Sequence, residues 1–198
     1  MGRKSLKEVR QKEIIAAFYN VSKREGLENA SLAKVAKEMG INTSLILHYF
    51  GSKEELIYGL IDFIMDRYSV LYNTKSEVNS KESHLKEIVN NLFSREWNDL
   101  VDDGVFYGCF TLVFRNEKIK AAYKELHDEL RILLTKAIQE AKDAGEVDVE
   151  NPREAADIIF ILVEGAYYYL SLVDIDADYQ RKLEKYKNAA IEILRFKE

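Results

Sequence analysis

Apolar residues recur along this chain at intervals of three and four, the period that gathers them on one face of an α-helix. Ile14, Phe18 and Val21 predict a helix over about 4–25, stopped by Gly26. Leu32, Val35, Ala36 and Met39 predict a short second helix behind Ser31, an N-cap residue type, and Gly40 breaks it. A third helix starts at Asn42, carries Leu45, Ile46 and Tyr49, and ends at Gly51. Ser52-Lys53-Glu54-Glu55 has the Ser-x-x-Glu form of a capping box and opens a fourth helix through Leu56, Leu60, Phe63 and Ile64 to about Tyr72. The polar run 73–80 reads as a loop. Further helices are expected over about 81–98, 103–115, 117–144, 152–173 and 177–196. Asn151-Pro152 starts the eighth strongly, because Pro suits the first helical position. Nine helices, with no strand, repeat or low-complexity tract, predict an all-α chain.

Composition agrees with that pattern. A single Pro and nine Gly in 198 residues leave few breakers and argue against a turn-rich β fold. With 47% hydrophobic and 32% charged residues, the balance is that of a soluble globular protein. One cysteine, Cys109, excludes an internal disulfide framework and a Cys-based zinc site, and fits a reducing cytoplasm. The start of the sequence is charged, with no signal-peptide pattern and no myristoylation pattern. The most apolar window, residues 158–173, is 16 residues long and interrupted by Glu164. A bilayer span needs roughly 20, so a buried helix is expected and no membrane span.

Charge is uneven. Residues 1–53 carry ten basic and five acidic groups, a balance of +5 in a chain whose net charge is −5. A basic head on an acidic body is suited to phosphates, although a solvated charged terminus gives the same arithmetic.

Residues 32–51 supply the geometry that such a head would use. A short helix, a break at Gly40 and a second short helix fit a helix-turn-helix. Ala36 is small where the helices cross, and Ile41 and Ile46 plug the angle between them. Gly40 allows a backbone that a side chain disfavours. Asn42 caps the second helix and turns its N-terminus outward. The same pattern would serve a plain helical hairpin.

The run Leu47-His48-Tyr49-Phe50-Gly51-Ser52-Lys53-Glu54-Glu55-Leu56 resembles the junction of the TetR family of bacterial transcriptional regulators. There a recognition helix ends in a His/Tyr-Tyr-Phe run, followed by a short turn and a Lys-Glu-Glu-Leu helix start. The likeness covers about residues 9–60. It implies a nine-helix TetR-like architecture, with a DNA-binding domain over 1–51 and a ligand-binding and dimerisation domain over 52–198. The helix over 52–73 is then the connector. By this resemblance Tyr49, Lys53 and Ser31 hold the phosphate backbone. The recognition helix departs from the common Ser-Lys-Gly-Thr-Leu-Tyr run, since this chain has Asn42-Thr43-Ser44-Leu45-Ile46-Leu47 and lacks the basic residue. Leu47 can touch a thymine methyl, and Thr43 or Ser44 a base or phosphate. His48 is either a contact or a solvated helix end, and Tyr49 either a contact or a packing residue.

One such head reads a half-site, and two are needed about one DNA turn (~34–36 Å) or its multiples apart. Ile159, Val163, Ala166 and Leu170 form one stripe of the eighth helix. Tyr179, Leu183, Tyr186, Ala190 and Ile193 form one of the ninth. The resemblance implies that these helices pair with their copies in a homodimer; intrachain core is the other reading. The aromatic excess ahead of them includes Phe93, Trp97, Phe110, Phe114, Tyr123, Phe160 and Tyr168. It reads as core or as the lining of a pocket for a small hydrophobic or aromatic effector. Glu164 is either a ligand anchor there or the partner of a core cation.

Enzyme and metal patterns are missing from the sequence. There is no Glu-x-x-His pair, no His-Glu-x-x-His and no Gly-rich phosphate loop. Asp174, Asp176 and Asp178 begin like a calcium loop, but Tyr179 and Lys185 stand where Gly and Glu are required. The expectation is a cytoplasmic repressor without cofactor or metal, released from a palindromic operator in double-stranded DNA by its effector. The alternative is a helical ligand-binding or protein-interaction module without sequence-specific readout.

Overall fold

The computed structural model describes residues 3–72 and 83–197. The loop expected over 73–80 lies outside them. In chain order the helices are α1 (Arg3–Glu25), α2 (Leu32–Met39), α3 (Thr43–Tyr49), α4 (Lys53–Ser69), α5 (His84–Leu92), α6 (Arg95–Leu100), α7 (Asp103–Leu112), α8 (Glu117–Asp143), α9 (Pro152–Leu170) and α10 (Asp176–Leu194). A 3₁₀ turn, Val70–Tyr72, follows α4. Among the described residues no helix is long and apolar enough to cross a membrane.

The helix expected over 81–98 is two helices, and Ser94 is the reason. Its hydroxyl donates to the Asn91 carbonyl (2.7 Å) and accepts from the Trp97 N–H (3.3 Å), so it closes α5 and starts α6. At this break the Tyr167 hydroxyl is shared between the carbonyls of Leu92 (3.0 Å) and Ser94 (2.8 Å).

Two compact units result. One comprises the chain up to Asp66 together with Val101–Leu126. Its core is Ile14, Phe18 and Val21 of α1, Val35 and Ala36 of α2, Ile46 of α3, and Leu56, Leu60 and Ile61 of α4, all buried. Burying a side chain such as Phe18 contributes roughly 2–3 kcal/mol. Gly59 lets α4 lie close on α1: a Cβ there would stand 2.6 Å from Ile15 Cδ1. The Tyr19 hydroxyl accepts the Asp102 N–H at 2.9 Å and ties α1 to the start of α7.

The second unit holds Arg67–Leu100 and the chain from His127 onward. Asn151 caps α9 by accepting from Arg153 and Glu154 N–H (3.2 and 3.3 Å), with Pro152 in the first turn. Val163, Ala166 and Leu170 of α9 and Leu183, Ala190 and Leu194 of α10 are buried in this unit. Tyr68 stacks on Trp97 (4.4 Å between ring centres), and Trp97 on Tyr167 (6.1 Å).

Candidate functional site

The helix-turn-helix forms as its residues dictate. Ser31 Oγ accepts the Lys34 N–H at 3.3 Å and caps α2. Gly40 takes φ 64°, ψ 32° at the end of α2, and the Ile41 N–H returns to the Ala36 carbonyl at 3.0 Å. Asn42 occupies the N-cap position of α3 but its side chain makes no capping bond. Ile46 is fully buried and holds α3 against the head.

That single anchor orients the rest of α3. Asn42, Ser44, Leu47 and His48 are exposed, and Thr43 and Tyr49 half-buried. Leu47 keeps 45% of its surface, a large apolar side chain left partly in water. His48 meets Tyr49 edge-on at 5.2 Å, and Gln11 Nε2 donates to the Tyr49 carbonyl at 3.3 Å, fixing the last turn. Phe50 behind them is buried.

Lys53 is placed differently from a free phosphate contact. Its ammonium donates to the carbonyls of Leu27 (2.9 Å) and Glu28 (3.1 Å), staples α4 to the α1–α2 turn, and is pushed below its ordinary pKa by burial. Other cations of the head are engaged likewise. Arg24 pairs with Glu25 and Glu38 (3.2 and 3.1 Å), Lys34 with Glu25 (2.6 Å), and Arg10 with Glu13 (2.8 Å). The i,i+3 spacing of Arg10 and Glu13 is readable along one helix, whereas Arg24–Glu38 and Lys34–Glu25 join α1 to α2 and follow no spacing rule.

The aromatic residues singled out for an effector divide between the two units. Phe110, Phe114 and Tyr123 belong to the first, where Phe114 is 78% exposed and Phe110 touches both others (5.4 and 5.7 Å). Phe93, Trp97 and Phe160 are buried in the second; Tyr168, also there, is exposed. Glu164 lies in that second unit beside His127 (4.0 Å), whose ring meets Phe160 edge-on. Burial pushes the Glu164 carboxyl up to about 7, Arg131 opposing the rise. Burial, with the Arg131 charge, pushes His127 down to about 4, so at neutral pH the two form no ion pair. Arg131 itself bonds Asp157 (3.3 Å) and Asp128 (3.6 Å) and lies over the Phe160 ring. Sequence reasoning missed Tyr72, whose buried hydroxyl finds no hydrogen-bond partner among the described residues.

The stripes expected to pair with a copy are placed differently from that expectation. Ile159, Val163, Ala166, Leu170, Leu183 and Ala190 are buried inside the chain's own core and present no surface to a copy, while Tyr186 and Ile193 are half-exposed. The outward face of α9 carries another stripe at three- and four-residue spacing: Ile158, Ile161, Gly165, Tyr168 and, just past the helix, Leu172. All five are exposed, and among the described residues nothing outside the helix's own backbone and the neighbours of Gly165 comes within 4 Å of a Cβ built there.

Two family models match the chain: "Bacterial regulatory proteins, tetR family" over residues 14–58 and "Tetracyclin repressor-like, C-terminal domain" over 79–196. The HTH-type transcriptional regulator BetI of Vibrio atlanticus is 30% identical over 88 residues, 44% of this chain and 44% of that protein. The match therefore spans less than half the length of that relative. The nucleoid occlusion factor SlmA of Actinobacillus pleuropneumoniae is 22% identical over 186 residues, 93% of this chain and 92% of that one. A TetR transcription regulator from Haloarcula marismortui has the same fold with a TM-score of 0.77 at 16% identity, covering 96% of this chain and all of its own. A transcriptional regulator from Saccharomonospora viridis, solved in complex with choline, superposes with a TM-score of 0.70 at 17% identity, over 96% of this chain and 100% of that chain. With the C-terminal model alone spanning more than half of the residues, the chain belongs to the tetR family of bacterial regulatory proteins.

Proposed function

We propose that the protein is a homodimeric, DNA-binding transcriptional regulator of the cytoplasm, a repressor that a small hydrophobic or aromatic effector releases from a palindromic operator. The observation that carries the reading is the face of α3: Ser44, Leu47 and His48 are held outward by the buried Ile46. Hydroxyl, apolar and imidazole groups in that order suit base edges and a thymine methyl in the major groove. Thr43, Asn42, Tyr49 and Ser31 flank that face. In this reading Lys53 contributes to DNA binding by positioning the turn that it staples.

The copy is joined through Ile158, Ile161, Gly165, Tyr168 and Leu172 of the α9 face, with the half-exposed Tyr186 and Ile193 of α10 contributing. An exposed apolar stripe at heptad-like spacing, with glycine at its middle, lets two helices approach closely. The effector is recognised in the C-terminal unit around Phe160 and Trp97, with Glu164 as the polar anchor and the Tyr72 hydroxyl, which has no partner among the described residues, as a second. Ligand binding shifts operator affinity only through a difference in affinity for the two states of the head.

Selection of bound duplexes from genomic fragments tests the reading. A palindromic site preferred over bulk DNA by ~10³ or more is expected. Absence of any preferred site refutes it. The second reading, a helical ligand-binding or interaction module without sequence readout, draws on one observation. α3 carries no Lys or Arg, and Arg10, Arg24, Lys34 and Lys53 are all engaged within the chain. Choline and neutral aromatic probes, assayed with the selected duplex, then distinguish the kinds of effector that Glu164 anchors.

A further inference from the structure

A cavity of about 440 Å³ opens within the N-terminal unit, apart from the aromatic core proposed for the effector. Its walls come from four places: the α1–α2 turn (Leu27), the start of α4 (Ile57), the end of α7 with the turn after it (Thr111, Leu112, Arg115) and the start of α8 (Ile119). Leu27, Ile57 and Ile119 are buried and make an apolar floor. A volume of this size lies in the range of small-molecule sites, roughly 300–1,000 Å³.

The rim decides the charge of the occupant. Lys53 and Arg115 are its cations, Glu28 and Glu54 its acids. Lys53 spends two of its three donors on carbonyls, and Glu54 interacts with its charge. Glu28 turns its carboxylate back over Gly26 and accepts from Asn29 Nδ2 at 3.3 Å. Asn116 Oδ1 is occupied by the N–H groups of Lys118 and Ile119 (3.0 and 3.2 Å). The Arg115 guanidinium remains: it is exposed at the rim and makes no hydrogen bond or ion pair among the described residues. A planar guanidinium with free donors above an apolar floor matches a carboxylate on an apolar body.

We infer that this cavity is a second ligand site, which takes small amphipathic monocarboxylates, with the apolar body on Leu27, Ile57 and Ile119 and the carboxylate on Arg115. A ligand seated there touches the turn that Lys53 staples and so bears on the entry to the helix-turn-helix.

Calorimetric titration of the full chain with octanoate, 1-octanol and octylammonium tests the site. Octanoate is expected to bind once per chain, at least tenfold tighter than the other two. Arg115→Glu, at an exposed position that folding does not depend on, should reverse the order in favour of octylammonium. Thr111→Trp should fill the cavity and abolish octanoate binding. If that variant does not fold, Arg115→Glu decides alone. No octanoate binding, equal binding of octanol, or an octanoate preference that survives Arg115→Glu each overturns the inference. None of these outcomes bears on operator selection, which tests the proposed function separately.

Discussion

Replacing Glu164 by Gln should change how stability depends on pH. The ordinary carboxyl value of 4.5 rises to about 7 in the folded chain, because burial disfavours the charged form. A raised acid keeps its proton where the unfolded chain has released it. Its contribution is therefore fully present below pH 4.5 and is lost as pH rises through about 7. That displacement corresponds to about 3 kcal/mol for a dry site. About a third of the side chain remains exposed, and solvent screening reduces the figure to roughly 1–2 kcal/mol. Gln stays neutral throughout, so the variant should gain that much over the parent between pH 5 and pH 8. His127 changes in the opposite sense, its stabilising neutral form being lost as pH falls from about 6.5 through about 4. It is common to both proteins and cancels in their difference. Urea unfolding followed through Trp97, the single tryptophan and stacked on Tyr68, measures both free energies. A stability difference that is the same at pH 5 and pH 8 would refute the burial argument.

Three further substitutions test the head. Lys53→Met removes two charge-assisted bonds to the α1–α2 turn and should cost about 1–2 kcal/mol in thermal unfolding of the protein without DNA; an unchanged melting temperature would return Lys53 to a purely phosphate role. Gly40→Ala forces a side chain into φ 64° with no clash to add to it, so the loss should be about 1 kcal/mol by denaturant titration. Leu47→Ala removes a half-exposed side chain, and should leave stability within about 0.5 kcal/mol while weakening the selected duplex by roughly 1 kcal/mol in an anisotropy titration.

The head was legible in the sequence because each of its signals is local. Gly40 marks the turn, Ser31 the cap and Ile46 the inward face, and each sits where its own neighbours demand it. The outward α9 stripe proposed for pairing was not legible, because α9 is apolar nearly all round. Residues 158–163 read Ile-Ile-Phe-Ile-Leu-Val, so the helical period has no phase, and the stripe through Ile159 looks as good as the one through Ile158. Only packing separates them, leaving Ile159 fully buried and Ile158 half-exposed. Lys53 illustrates a different limit. Its neighbours 25 and 26 residues away are carbonyls, which leave no trace in residue identity. The break at Ser94 was missed because a serine inside an apolar period resembles an ordinary polar face until its hydroxyl is seen capping Trp97.

The internal pairing of Arg10, Arg24, Lys34 and Lys53 reaches beyond stability. Each phosphate that a cation neutralises releases condensed counterions and steepens the fall of affinity with ionic strength, by about 0.9 in the logarithmic slope for duplex DNA. Those four, of the ten basic groups over residues 1–53, would release few. On the proposed reading, the salt dependence of operator binding would be set by the head's remaining basic groups, and groove fit would carry the part of the grip that ionic strength leaves untouched.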